Sequence, residues 1–88
     1  MPDDDSVFEF PCRFPIKVMG RDREGFLAHV INLIGLHTEE VSHENVAIRP
    51  SRNGNFISVT VTFTAESRAQ LDRIYQSLTS SEQILFVI

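Results

Sequence analysis

Three histidines, one cysteine and a scatter of carboxylates are the side chains of this 88-residue chain that could act on a substrate or a metal. A histidine metal site usually sets two rings four residues apart on one helical face and adds a third ligand. His29 and His37 are eight apart, which turns them about 80° from each other on a helix. They read as a surface histidine and a helix-C-terminal one, with His43 on a following strand or loop. No metal or other cofactor is expected. Cys12 lies between Pro11 and Arg13, with no local histidine to take its proton, so it reads as an idle or buried thiol. A lone cysteine excludes an intrachain disulfide and a paired-cysteine metal site. Asp22, Glu24, Glu39, Glu40 and Glu44 fall beside helix ends or in loops, where acids cap and solubilise; they do not read as an acid–base pair. No catalytic residue is assigned.

These side chains must be held by elements that the hydrophobic pattern outlines. Residues 13–19 read as a strand, because Phe14, Ile16 and Val18 alternate with Pro15, Lys17 and Met19, and Gly20 ends the run. Residues 23–37 read as a helix capped by Asp22, with Phe26, Leu27, Val30, Ile31, Leu33 and Ile34 on one side. Residues 43–49 give a weaker strand. Asn53-Gly54 then signals a hairpin, since both residue types tolerate positive φ. Ile57, Val59, Val61 and Phe63 alternate with Ser58, Thr60 and Thr62 in the clearest strand of the chain. Residues 68–79 read as a second helix, with Ser67 and Gln70 as a capping box and Leu71, Ile74, Tyr75 and Leu78 as its apolar stripe. An apolar strand over 83–88 closes the chain.

The order β-α-β-β-α-β predicts an α+β, ferredoxin-like sandwich: a four-stranded antiparallel sheet with both helices on one face. The expected core is Phe14, Ile16, Val18, Leu27, Val30, Ile31, Ile34, Ile57, Val59, Val61, Phe63, Leu71, Ile74 and Leu78. Lys17, Met19, Ser58, Thr60 and Thr62 are expected on the open face. One domain over 10–88 follows an acidic flexible tail over 1–9.

Composition narrows the function. The formal net charge is -4, and Asp3, Asp4, Asp5 and Glu9 account for all of it, leaving eight acids against eight bases. That balance offers no basic patch, and the third strand lacks the aromatics of a nucleic-acid-binding sheet, so no nucleic-acid partner is expected. No stretch approaches the ~20 apolar residues of a membrane span, and the acidic N-terminus is unlike a secretion signal, so a cytoplasmic protein is expected. A chain this short buries a modest fraction of its surface, which leaves room for stabilisation as a homodimer.

Glu9 to Gly20 (Glu-Phe-Pro-Cys-Arg-Phe-Pro-Ile-Lys-Val-Met-Gly) and Pro50 to Val59 (Pro-Ser-Arg-Asn-Gly-Asn-Phe-Ile-Ser-Val) resemble the corresponding stretches of the YbeD-like family of small bacterial proteins. That family has a βαββαβ fold and no established biochemical function. Gly20 to Val30 (Gly-Arg-Asp-Arg-Glu-Gly-Phe-Leu-Ala-His-Val) is similar to the Asp-Arg-Pro-Gly-Leu-Leu-Ala turn of ACT domains, regulatory modules of the same topology. There the turn lies at a subunit interface and its glycine lets a small ligand, often an amino acid, approach the backbone. The resemblance implies ligand-binding roles for Asp22, Gly25 and Phe26. Glu24 stands where the ACT pattern has proline. On the residues alone, Asp22 serves equally as a helix cap and Gly25 as a packing glycine.

The reading is a non-catalytic regulatory or binding module that senses a small molecule such as an amino acid. One alternative is an adaptor for a protein partner, acting through the sheet edge or open face. The other is a small acylphosphatase-like hydrolase, which Asp22 and Glu24 disfavour by repelling a phosphate from the Gly20–Gly25 loop.

Overall fold

The computed structural model describes residues 9–39 and 41–88, so the acidic run at the N-terminus, expected as a flexible tail, lies outside the described residues apart from Glu9. The elements are β1 (Cys12–Arg21), α1 (Phe26–Gly35), a single 3-10 turn (His43–Asn45), β2 (Val46–Pro50), β3 (Phe56–Ala65), α2 (Arg68–Thr79) and β4 (Ile84–Val87). The sheet order is β2-β3-β1-β4 and every pairing is antiparallel. This is the expected α+β, ferredoxin-like sandwich.

Period-two alternation sets the register. Ile16 faces Val61 and Val18 faces Val59, and all four are fully buried. They pack under Phe26, Val30 and Ile34 of α1 and under Leu71, Ile74 and Leu78 of α2. Four expected core residues lie at its rim: Phe14, Leu27, Ile31 and Ile57 are only half-buried. On α1 the deepest line is Phe26, Val30 and Ile34, every fourth residue, so Leu27 and Ile31 fall to its flank.

Gly20 does not end β1. The strand runs on to Arg21, with a register shift against β4 between Met19 and Gly20. A Cβ at Gly20 would meet the Phe26 ring and lie 2.6 Å from the Gln83 carbonyl oxygen. The glycine is there so that α1 and the approach to β4 can close on the sheet.

The longer β1 delays the helix. α1 begins at Phe26, not 23, and its N-cap is Gly25 at φ 88°, with no side-chain cap. Asp22 is therefore not the cap: it lies three residues before Gly25, and its N–H donates to the Asn55 carbonyl of the β2–β3 hairpin at 3.0 Å. The second helix spans the expected residues. Ser67 Oγ accepts from the Gln70 N–H at 3.1 Å, and Gln70 Oε1 accepts from the Glu66 N–H at 2.6 Å, one residue earlier than a standard capping box. In the hairpin loop only Gly54, at φ 79°, has positive φ; Asn53 does not. Asn53 Oδ1 instead accepts hydrogen bonds from Ser51 Oγ and the Asn55 N–H. Residues 43–45, expected as strand, form the 3-10 turn instead.

Candidate functional site

The turn over residues 22–25 joins the C-terminal end of β1 to α1 beside the approach to β4. Asp22 and Gly25 are exposed, whereas Phe26 is 2% exposed and gives its ring to the core. A cavity of about 190 Å³ adjoins the turn, lined by Arg21, Arg23, Phe26, Glu82, Gln83 and Leu85. Of the three residues expected to bind a ligand, only Phe26 lines it. Asp22 and Gly25 shape the turn without forming the wall.

The residues that motif reasoning missed are the two arginines that bracket Asp22 and the Glu82–Leu85 segment. The arginines were legible, since an extended chain sends residues 21 and 23 to the same side. The Glu82–Leu85 segment was not, because it reaches the site only through the β1–β4 pairing. Two guanidiniums and one carboxylate give the lining an excess positive charge. The Arg21 guanidinium also lies 5.7 Å from the centre of the Phe56 ring, a cation–π contact that holds it toward the hairpin. The start of α1 has no side-chain cap; its first amide, the Phe26 N–H, donates to the Arg23 carbonyl at 3.1 Å. The first helical i→i−4 bond is His29 N–H to the Gly25 carbonyl, 2.9 Å. A Cβ at Gly25 would meet nothing within 4 Å, so the surface there is open.

A larger cavity, about 550 Å³, opens at the far end of the sheet between the C-terminus of α1 and the start of α2. Its inner polar groups already serve the fold. His37 Nε2 is 2.7 Å from Ser77 Oγ, and Gln70 Nε2 donates to the His37 carbonyl at 2.8 Å. His29 Nε2 likewise lies 2.8 Å from Ser81 Oγ, so two histidines stitch α1 to α2 and to the loop that follows it. Cys12 is a half-buried free thiol.

The open face carries the second candidate surface. In register its rows are Arg13–Thr64, Lys17–Thr60–Ala47, Met19–Ser58–Arg49 and Arg21–Phe56. Phe86 pairs with Met19, and Ile88 exchanges backbone hydrogen bonds with Lys17, which puts both on the same face. Ser58, expected to be exposed, is 7% exposed, and its hydroxyl donates to the Arg49 carbonyl at 3.4 Å.

The chain has the ferredoxin-like βαββαβ fold, and its β1–α1 turn lacks a side-chain cap and is flanked by Arg21 and Arg23. The solved ACT domain from GTP pyrophosphokinase of Chlorobium tepidum superposes with a TM-score of 0.64 at 12% identity, covering 86% of this chain and 84% of that one. Protein HP0495 from H. pylori superposes with a TM-score of 0.69 at 15% identity, over 100% of this chain and 94% of that one. Residues 5–88 match the family described as protein of unknown function, DUF493, and the chain belongs to it. The UPF0250 protein of Chromobacterium violaceum is 42% identical over 82 residues, 93% of this chain and 92% of the relative. The UPF0250 protein NMB1218 of Neisseria meningitidis serogroup B is 40% identical over 83 residues, 94% of this chain and 91% of the relative. The expected YbeD-like, ACT-like assignment holds. No helix among the described residues is long and apolar enough to cross a membrane.

Proposed function

We propose that this protein is a cytoplasmic, non-catalytic regulatory module that senses a small metabolite, an amino acid or a similar carboxylate, at the β1–α1 turn. The observation that carries the reading is the cavity of about 190 Å³ bounded by Arg21 and Arg23. It is smaller than the roughly 300–1,000 Å³ typical of sites for drug-sized ligands, which suits a ligand of few heavy atoms. In this reading the two guanidiniums take the carboxylate, Glu82 faces an ammonium group, and Phe26 closes the floor. Asp22 anchors the turn to the hairpin, and Gly25 leaves the first amides of α1 approachable. A homodimer would bring a second chain over the open side, as the ACT resemblance implies.

Isothermal titration against the twenty amino acids tests this, using wild type, Arg23→Ala and Glu24→Pro. One or more amino acids should bind wild type. Arg23→Ala should weaken binding at least about tenfold, the effect of losing a charge-assisted hydrogen bond. Glu24→Pro should tighten it by removing a nearby negative charge. No heat from any amino acid would remove amino-acid sensing, and the adaptor would lead. That second reading is favoured by Phe86 and Ile88, which are 64% and 68% exposed at the free edge strand.

A further inference from the structure

The open face of the sheet segregates charge in a way the whole-chain balance conceals. Arg13, Lys17 and Arg21 occupy positions of the same parity in β1, and Arg49 of β2 comes up on the same side through its pairing with Ser58. All four are exposed. No acidic residue lies in any of the four strands; apart from Glu9, which precedes β1, the described acids lie on the helices and in the connections. Lys17 and Arg49 make no ion pair among the described residues. Beside these cations stand Met19, Phe86 and Ile88, the last two largely exposed. A shallow depression of about 190 Å³ between Lys17, Met19, Arg49 and Phe56 sits at the centre of the patch.

We infer that this face docks an acidic, partly apolar segment of another protein, running along β1. Residues four apart on a strand are ~13 Å apart, so Arg13, Lys17 and Arg21 form a line of cations at that interval. An extended partner with a carboxylate at every fourth position has the matching interval. Apolar residues beside its acids would meet Met19, Phe86 and Ile88, and water leaving those contacts would supply affinity while the charges set register. A single-stranded nucleic acid fits less well. It needs free ring faces for its bases, and the Phe56 ring is already engaged by the Arg21 guanidinium, leaving Phe86 alone on this face.

The test is amide chemical-shift mapping on the full chain with three probes. The first is an extended peptide of about a dozen residues with glutamate at every fourth position and leucine or valine between. The second is the same peptide with glutamine for glutamate, and the third is an oligothymidylate. The glutamate peptide should shift Lys17, Met19, Ser58 and Phe86, and should weaken by roughly tenfold or more when salt rises from ~50 to ~300 mM. The glutamine peptide should bind at least about tenfold more weakly and lose the salt dependence. Lys17→Glu with Arg49→Glu should abolish binding, and Phe86→Ala should weaken it several-fold, all with unchanged melting temperature because these side chains are exposed. Tighter binding of the oligothymidylate would overturn the inference, as would shifts confined to other faces or an unaltered affinity in the Lys17→Glu, Arg49→Glu variant. Arg21 borders both sites, but none of the substituted positions, Lys17, Arg49 and Phe86, lines the cavity at the β1–α1 turn, so failure here leaves amino-acid sensing standing, and the reverse also holds.

Discussion

The two helices start in opposite ways. α2 begins with a side-chain cap: Ser67 takes the Gln70 N–H, and Gln70 takes the Glu66 N–H while reaching across to the His37 carbonyl. α1 begins on a left-handed glycine with no side-chain acceptor, beside two arginines and a cavity. A helix start that binds its own chain is scaffold, because satisfied donors leave nothing for a ligand. One without a side-chain cap, where only the Phe26 N–H is taken by a local carbonyl, keeps the positive end of its dipole available. The comparison separates the part of this fold that holds shape from the part that can recognise something.

The largest expected effect lies where α1 closes on the sheet. Gly20→Ala should cost about 3 kcal/mol, because the new methyl meets the Phe26 ring and the Gln83 carbonyl, and neither can give way without moving a helix or a strand. Urea denaturation would show it, and an unchanged midpoint would mean that the α1 start is loose. Next comes Gln70→Ala at α2. It leaves the Glu66 N–H and the His37 carbonyl without their partner at a site 6% exposed, a loss of about 2 kcal/mol. Ser67→Ala should cost about 1 kcal/mol, the usual worth of a helix cap.

The smaller effects belong to α1. Gly25→Ala should cost about 1 kcal/mol through its φ of 88°, not through crowding. A valine there would be strained more severely, because its branched side chain fits the left-handed region worse. Asp22→Ala should change stability by no more than ~0.5 kcal/mol, since its contact with the hairpin is made by backbone. If thermal unfolding instead showed Asp22→Ala to be as costly as Ser67→Ala, the contrast between the two starts would collapse.

Much of this was legible along the chain. Strict alternation in 57–63 and the 3.6-residue stripe over 71–78 fix strand and helix, because each periodicity buries one face and leaves the other wet. Ser67 and Gln70 announce the second helix start, since capping is local chemistry between residues three apart. The first start misled for the same reason inverted. Asp22 has the composition of a cap, but β1 pairs with β3 as far as Arg21 opposite Phe56 and the Asp22 N–H bonds the Asn55 carbonyl, so the chain leaves the sheet too late for a helix to start before Phe26. Local preference of about 1 kcal/mol yields to a row of ladder hydrogen bonds.

The sequence by itself determined the fold class, the core stripe and the position of the turn, all of which follow from neighbours within about eight residues. Only the tertiary structure decided what the turn faces. Arg21 and Arg23 become a cavity wall because Glu82–Leu85, some sixty residues later, is brought beside them. The same is true of charge. Eight acids and eight bases sum to nothing beyond residue 9. Yet the pleat of β1 and its pairing through β3 to β2 place four cations and no acids on one face, because side-chain parity and strand register sort residues that composition can only add.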